Sequence, residues 1–72
     1  MNKIAEFRDL AGLSQQSLAE QVGITRPYLS KIEHGKQKPA YIIALKIAKV
    51  LDRKVEEIFF EDNVNHGERN SF

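Results

Sequence analysis

Side chains able to grip a polyanion crowd the middle of this 72-residue chain. Between positions 25 and 54 stand eight bases (Arg26, Lys31, Lys36, Lys38, Lys46, Lys49, Arg53, Lys54) and only two acids, Glu33 and Asp52. The flanks lean the other way, with two bases and three acids before position 25, and one base and five acids after position 54. The net charge of +1 therefore hides a strongly cationic centre, which suits a polyanionic partner; on charge alone, a merely solvated surface is the alternative. Catalytic chemistry is poorly supplied. Without cysteine there is no disulfide framework and no thiolate zinc site, and His34 and His66 stand too far apart for ligand-type spacing. Neither a Gly-rich phosphate loop nor a nucleophile–base pairing occurs, so we expect no enzyme, no catalytic residue, no metal and no cofactor.

The elements that must position these cations follow from periodicity. Apolar residues recur at three and four, never two, which predicts helices and no strand. Ile4, Phe7, Leu10 and Ala11 mark one face of a first helix ending near Gly12. Ser14 caps a second helix from Gln15 to Val22, with Leu18, Ala19 and Val22 inward and Gly23 as its left-handed end. Thr25 caps a third running to about His34, with Pro27 in the first turn, where a missing N–H costs nothing, and Leu29 and Ile32 inward. A fourth spans about Ala40 to Leu51 on a stripe of Tyr41, Ala44, Leu45, Ala48 and Leu51. A last short turn covers Val55 to Phe59 or Phe60.

The expected result is an all-α, compact five-helix bundle over residues 1–60 with a flexible C-terminal tail over 61–72, in which no periodicity is found. One small core is all this length allows. No run of 18 apolar residues exists, and the charged N-terminus is unlike a secretory leader, so a cytoplasmic protein with no membrane contact is expected.

Ala19, Gly23, Leu29 and Ile32 stand at offsets that a steep crossing of two helices through a three-residue turn requires. A larger side chain at 19 separates the helices, a Cβ at 23 strains the corner, and Leu29 and Ile32 fix the second helix to the first. Their joint spacing is a helix-turn-helix signal.

The stretches Gly12 to Thr25 and Tyr28 to Lys36, together with Pro39 and the Ile47-Ala48 pair, resemble the Cro and phage-repressor helix-turn-helix family of xenobiotic-response-element regulators. The resemblance covers about residues 3–59 and implies a lambda-repressor-like five-helix domain that binds operator DNA, usually as a homodimer. Asp52 and Arg53 stand where that family commonly has Gly and an apolar residue, and Lys54 where it often has Ser; neither departure touches the segment expected to face DNA.

The outward face of the third helix carries Arg26, Pro27, Tyr28, Ser30, Lys31 and His34 behind the Thr25 cap, in a form that fits a major groove. Arg26 is the base-reading candidate, because its guanidinium fork matches guanine O6 and N7; Lys31 reads guanine singly or meets a phosphate. Pro27 and Tyr28 offer apolar surface for a thymine methyl or the sugar–phosphate backbone; for Tyr28 the alternative is shielding the first turn of its helix. Ser30 faces either DNA or its own backbone, and His34 either DNA or the helix dipole. Lys36 and Lys38 are phosphate clamps in the following loop. Lys46, Lys49 and Arg53 form a solvated face of the fourth helix. By the resemblance, Gln15 and the N-terminus of its helix hold a phosphate, and Glu33 turns inward to pair with Arg8.

Excess apolar residues on the fourth helix, with Phe59 and Phe60, suggest a homodimer through the C-terminal part, with Ile43, Val50, Phe59 and Phe60 at the interface. The expected function is a sequence-specific double-stranded DNA-binding transcriptional regulator, a repressor acting by occupancy of a pseudo-palindromic operator. The alternative is an antitoxin-like or adaptor protein whose DNA binding is secondary to protein binding. No second domain for a small-molecule ligand is expected.

Overall fold

The computed structural model describes residues 2–63, with side chains through Phe59. Every regular element among the described residues is a helix: α1 (Ile4–Leu10), α2 (Gln15–Val22), α3 (Arg26–Glu33), α4 (Tyr41–Leu51) and α5 (Val55–Asn63). None is long and apolar enough to cross a membrane. The start of α2 and of α3 is set by side chains that replace missing intrahelical partners. Ser14 Oγ accepts from the Ser17 N–H at 3.0 Å, and Thr25 Oγ1 accepts from the Tyr28 N–H at 3.2 Å. At α5 the arrangement is reversed: Glu57 Oε1 accepts from the Lys54 N–H at 2.8 Å, so the third helical residue reaches back to a position whose own side chain cannot cap. The helix then runs to Asn63, beyond Phe60 where periodicity alone would end it. The remainder of the expected tail, 64–72, lies outside the described residues.

Four helix ends close in one way. The N–H groups of Leu13, Ile24, Lys36 and Arg53 each reach back five residues, to the carbonyls of Arg8, Ala19, Lys31 and Ala48, at 2.9–3.0 Å. Each closure needs a left-handed residue just before the donor, and Gly occupies three of the four corners while Asp52, at φ 57°, occupies the fourth. Asp tolerates this region better than most side chains, though less well than Gly. Past that corner the Arg53 guanidinium lies 4.5 Å from the centroid of the Phe7 ring. Arg53 is exposed, as expected of a solvated residue, and its guanidinium also lies over an aromatic ring of α1.

α2 packs against α3 and α4, and α4 against α5. The core they enclose is Ile4, Leu18, Ala19, Val22, Leu29, Ile32, Ala44, Ile47, Ala48, Leu51, Ile58 and Phe59. Three sequence expectations are corrected here. Tyr41 (71% exposed) and Leu45 face outward, and Ile47 replaces them in the buried stripe of α4. Because α4 is apolar nearly all round, periodicity could not choose between adjacent faces. Leu10 (70% exposed) is not an inward residue either, since α1 ends there and meets the core only through Ile4 and, partly, Phe7.

The N-terminal residues tie the bundle together. Asn2 Oδ1 accepts from the Ile4 N–H at 3.1 Å, while its Nδ2 donates to the Ile32 carbonyl at 2.8 Å, joining the start of α1 to the last turn of α3. The Lys3 N–H donates to the Ile58 carbonyl at 2.8 Å, holding α5.

Glu33 is the one buried charged residue among those described, at 6% exposure. Its Oε2 accepts from Arg8 Nε and its Oε1 from Gln15 Nε2, both at 3.0 Å; Arg8 Nη1 also donates to the Leu13 carbonyl at 3.0 Å. Removing one partner strands a charge in the core, which costs far more than replacing both with apolar groups. Arg8→Ala should therefore lose about 2–4 kcal/mol in urea unfolding, and the double variant Arg8→Met/Glu33→Leu should recover most of that loss. The corners give a second expectation. A Cβ at Gly23 would meet nothing within 4 Å, so Gly23→Ala pays only for its left-handed backbone, about 1–2 kcal/mol. Asp52→Gly should instead stabilise by about 0.5–1 kcal/mol in the same measurement.

Candidate nucleic-acid interface

Two helices meet here across the three residues Gly23, Ile24 and Thr25. Gly23 (φ 89°, ψ 29°) donates its N–H to the Ala19 carbonyl, and Ile24 donates to the same oxygen. The chain thus leaves α2 at a sharp angle, and Thr25 starts α3 at once. Ala19 is completely buried in the crossing and half-buried Ile24 packs against the core below the turn. With Leu29, Ile32 and Glu33 turned inward, the opposite side of α3 is fixed as outward.

That outward side presents Arg26, Pro27, Lys31 and His34, all exposed, with Ser30 half-buried between them. Lys36 and Lys38 stand exposed in the loop that follows, and Thr25 is exposed at the helix start. Among the described residues, carboxylates lie within ion-pair distance of Arg8 alone, leaving Arg26, Lys31, Lys36 and Lys38 without anionic partners. The single acid of α3 is the one folded into the core. This separation makes the face uniformly cationic, and no group of three His, Asp or Glu side chains able to hold a metal ion occurs among the described residues.

The remaining site candidates resolve individually. Tyr28 is half-buried and packs against the core, so much of its ring is engaged in shielding the first turns of α3. His34 is the C-terminal cap of α3, and its Nδ1 lies 2.7 Å from the Ser30 carbonyl. A carbonyl only accepts, so Nδ1 carries the proton and donates, leaving Nε2 outward. Ser30 Oγ lies 3.5 Å from the same nitrogen, a long contact. Gln15, at the first position of α2, is half-buried and hydrogen-bonded on both sides: its Nε2 to Glu33 and its Oε1 to Arg26 Nη1 at 3.3 Å. Sequence reasoning placed Gln15 against a phosphate and did not foresee its contact with Arg26, because the two are eleven residues apart and meet only through the helix crossing. It also missed Asn2, whose signal was a cap-type residue just ahead of the first apolar face.

The residues assigned to self-association do not form one exposed cluster. Phe59 (8% exposed) belongs to the protein's own core, Ile43 and Val50 are half-buried against it, and the Phe60 side chain lies outside those described. Among the described residues the exposed large apolar side chains are Leu10 at the end of α1 and, grouped on α4, Tyr41, Ile42 and Leu45.

Comparison with known proteins agrees with this geometry. A helix-turn-helix family model matches residues 4–58. An uncharacterised HTH-type transcriptional regulator, YgzD of Bacillus subtilis, is 41% identical over 64 residues, covering 89% of this chain and 97% of its own. Among solved structures, the restriction-modification controller protein C.AhdI from Aeromonas hydrophila superposes with a TM-score of 0.72 at 34% identity, over 76% of this chain and 83% of that one. The N-terminal DNA-binding domain of SinR from Bacillus subtilis superposes with a TM-score of 0.68 at 29% identity, over 94% and 91%. With its sequence matched over most of its length and its α2–α3 crossing intact, the chain belongs to the helix-turn-helix family of transcriptional regulators, of the xenobiotic-response-element type.

Proposed function

We propose that this protein is a sequence-specific double-stranded DNA-binding regulator that lays α3 in the major groove of an operator. The observation that carries the reading is the outer face of α3 and its following loop: four cations without anionic partners among the described residues, and the local acid folded away beneath them. A helix of this width fits the major groove, and its N-terminal residues reach the base edges. Arg26, at the first position of α3, is the base reader; its fork can donate two hydrogen bonds to guanine O6 and N7. Lys31 lies five residues further on, within reach of a base or a phosphate. Lys36 and Lys38, with Thr25 and the α2 N-terminus, meet the flanking phosphates, which position the domain without carrying sequence information. Pro27 and the exposed part of Tyr28 supply apolar contact, and Ser30 and His34 line the later part of the same face.

Repression by occupancy suits this inventory. A bound dimer excludes polymerase and requires no reacting group. We place the dimer contact on the α4–α5 side, where Tyr41, Ile42 and Leu45 are exposed and Ile43 and Val50 partly so. In that arrangement two copies of α3 enter successive major grooves about 34–36 Å apart. The same exposed patch favours one other reading, an adaptor whose principal partner is a protein. The two readings differ in DNA preference. A regulator shows a linear fall of log affinity with log salt and a large preference for one pseudo-palindrome, whereas an adaptor shows the salt slope with little preference.

Selection of bound sequences from a random DNA pool, followed by salt titration on the selected site, tests this. Arg26→Ala should cost about 1–3 kcal/mol on the selected site and relax preference at one base pair. Lys36→Ala should weaken all sequences alike and flatten the salt slope by about one. Equal effects of both variants on selected and random DNA would refute this division of labour. For the assembly, sedimentation at tens of micromolar should give the mass of a dimer, and a monomer binding single half-sites one-to-one would exclude it.

A further inference from the structure

We propose that His34 is a proton-dependent DNA contact: its Nε2 donates to a phosphate oxygen only as the imidazolium, so that affinity for DNA rises as pH falls. The inference rests on the reading of α3 as the groove-facing helix, and adds to it a contact whose charge the solvent sets.

The ring is anchored at one nitrogen. The Ser30 carbonyl accepts from the His34 backbone N–H at 3.0 Å and lies 2.7 Å from Nδ1. A carbonyl has no proton to give, so the one N–H of the neutral imidazole is Nδ1–H, already committed to this bond. Nε2 is then a bare acceptor on an exposed side chain. Facing a phosphate, whose oxygens are acceptors too, the neutral ring has nothing to offer. The other neutral tautomer carries a proton at Nε2 only by setting the Nδ1 lone pair against the carbonyl oxygen. A proton taken from solvent onto Nε2 removes the conflict, because the imidazolium donates at both nitrogens. Histidine is the side chain whose ordinary charge change falls between about pH 5 and 8.

Position selects phosphate over a base edge. His34 stands eight residues beyond Arg26, about 12 Å along the axis from the end of α3 that reaches bases, and beside the loop that carries Lys36 and Lys38. The charged groups around it are cations and one sequestered acid. On α3 itself Lys31 is exposed and Glu33 is buried. α1 and α2 turn Arg8 and Gln15 toward that same carboxylate. The segment ahead of α1 brings Asn2, whose amide holds the Ile32 carbonyl, and Lys3. The loop after α3 brings Lys36, whose N–H closes on the Lys31 carbonyl. No carboxylate among the described residues lies within ion-pair distance of His34. An imidazolium there finds its counter-charge in DNA, and the complex takes up a proton that the free protein lacks. Linkage fixes the sign: the state that holds more protons gains as pH falls.

DNA affinity measured against pH at fixed ionic strength tests this. The wild-type protein should bind about three- to fivefold more tightly at about pH 5.5 than at about pH 8. The gain should be alike on selected and random DNA, since a phosphate carries no sequence information. His34→Gln should keep the weaker affinity at both pH values and His34→Arg the stronger one, whereas His66→Gln should leave the pH dependence intact. In the free protein, ring-nitrogen NMR of neutral His34 should show the proton on Nδ1, and adding the selected duplex near neutral pH should shift the ring toward the imidazolium. A pH dependence that survives His34→Gln would overturn the proposal, as would a neutral ring protonated at Nε2. An affinity that falls with pH on one sequence alone would make Nε2 an acceptor from a base amino group, which also overturns the phosphate contact. Binding through α3 that is indifferent to pH overturns this proposal and leaves the groove assignment standing; no DNA binding at either pH removes both.

Discussion

A carboxylate held inside so small a core must find hydrogen-bond donors there, and the way Glu33 does so organises the molecule. Burying a charge without compensation is prohibitive. Arg8 of α1 and Gln15 of α2 supply that compensation to a residue of α3, so three helices are held by one side chain. The guanidinium of Arg8 reaches further, to the Leu13 carbonyl in the loop that leads into α2. Apolar packing alone is non-directional. This network has direction, and it fixes which side of α3 is inner.

The functional face follows from that choice. An acid at position 33 pointing outward would stand among Arg26, Lys31, Lys36 and Lys38 and oppose any polyanion they attract. Turned inward, it leaves the outer face of α3 and its loop without an acid of their own. The chain as a whole is almost neutral, so attraction to DNA depends on where charges are held rather than on how many there are. Five short helices can hold them because their ends are sharply defined. Side-chain caps begin α2 and α3, and the repeated left-handed closure ends α1 to α4 within a residue or two. Helices of seven to eleven residues have little stability in isolation and take it from packing, so definition at the ends decides their angles.

The departures at the end of α4 illustrate how local chemistry replaces a missing residue type. Asp52 adopts the left-handed corner that Gly would take more easily. Arg53 lays its guanidinium over the Phe7 ring. Lys54 cannot cap α5 with its ammonium, and Glu57 does so from within the helix. Each solution uses charged residues and leaves the core composition unchanged. None reaches the surface assigned to DNA.

Much of this was legible in the residues alone. Caps at Ser14 and Thr25, the corner at Gly23 and the small Ala19 depend on contacts within a few positions, and such chemistry is written locally; it determined the helix order, the steep α2–α3 crossing and hence which residues of α3 face out. The inner face of α4 was not determined, because an element apolar on nearly every side carries no phase, and only packing against α2 and α5 selected Ile47 over Tyr41 and Leu45. The same holds for Phe59, which sequence alone could not distinguish from an exposed aromatic. The Gln15–Arg26 contact and the grip of Asn2 on the end of α3 join residues 11 and 30 positions apart. Directional bonds across such separations exist only once the helices are in place, so the tertiary structure decided them.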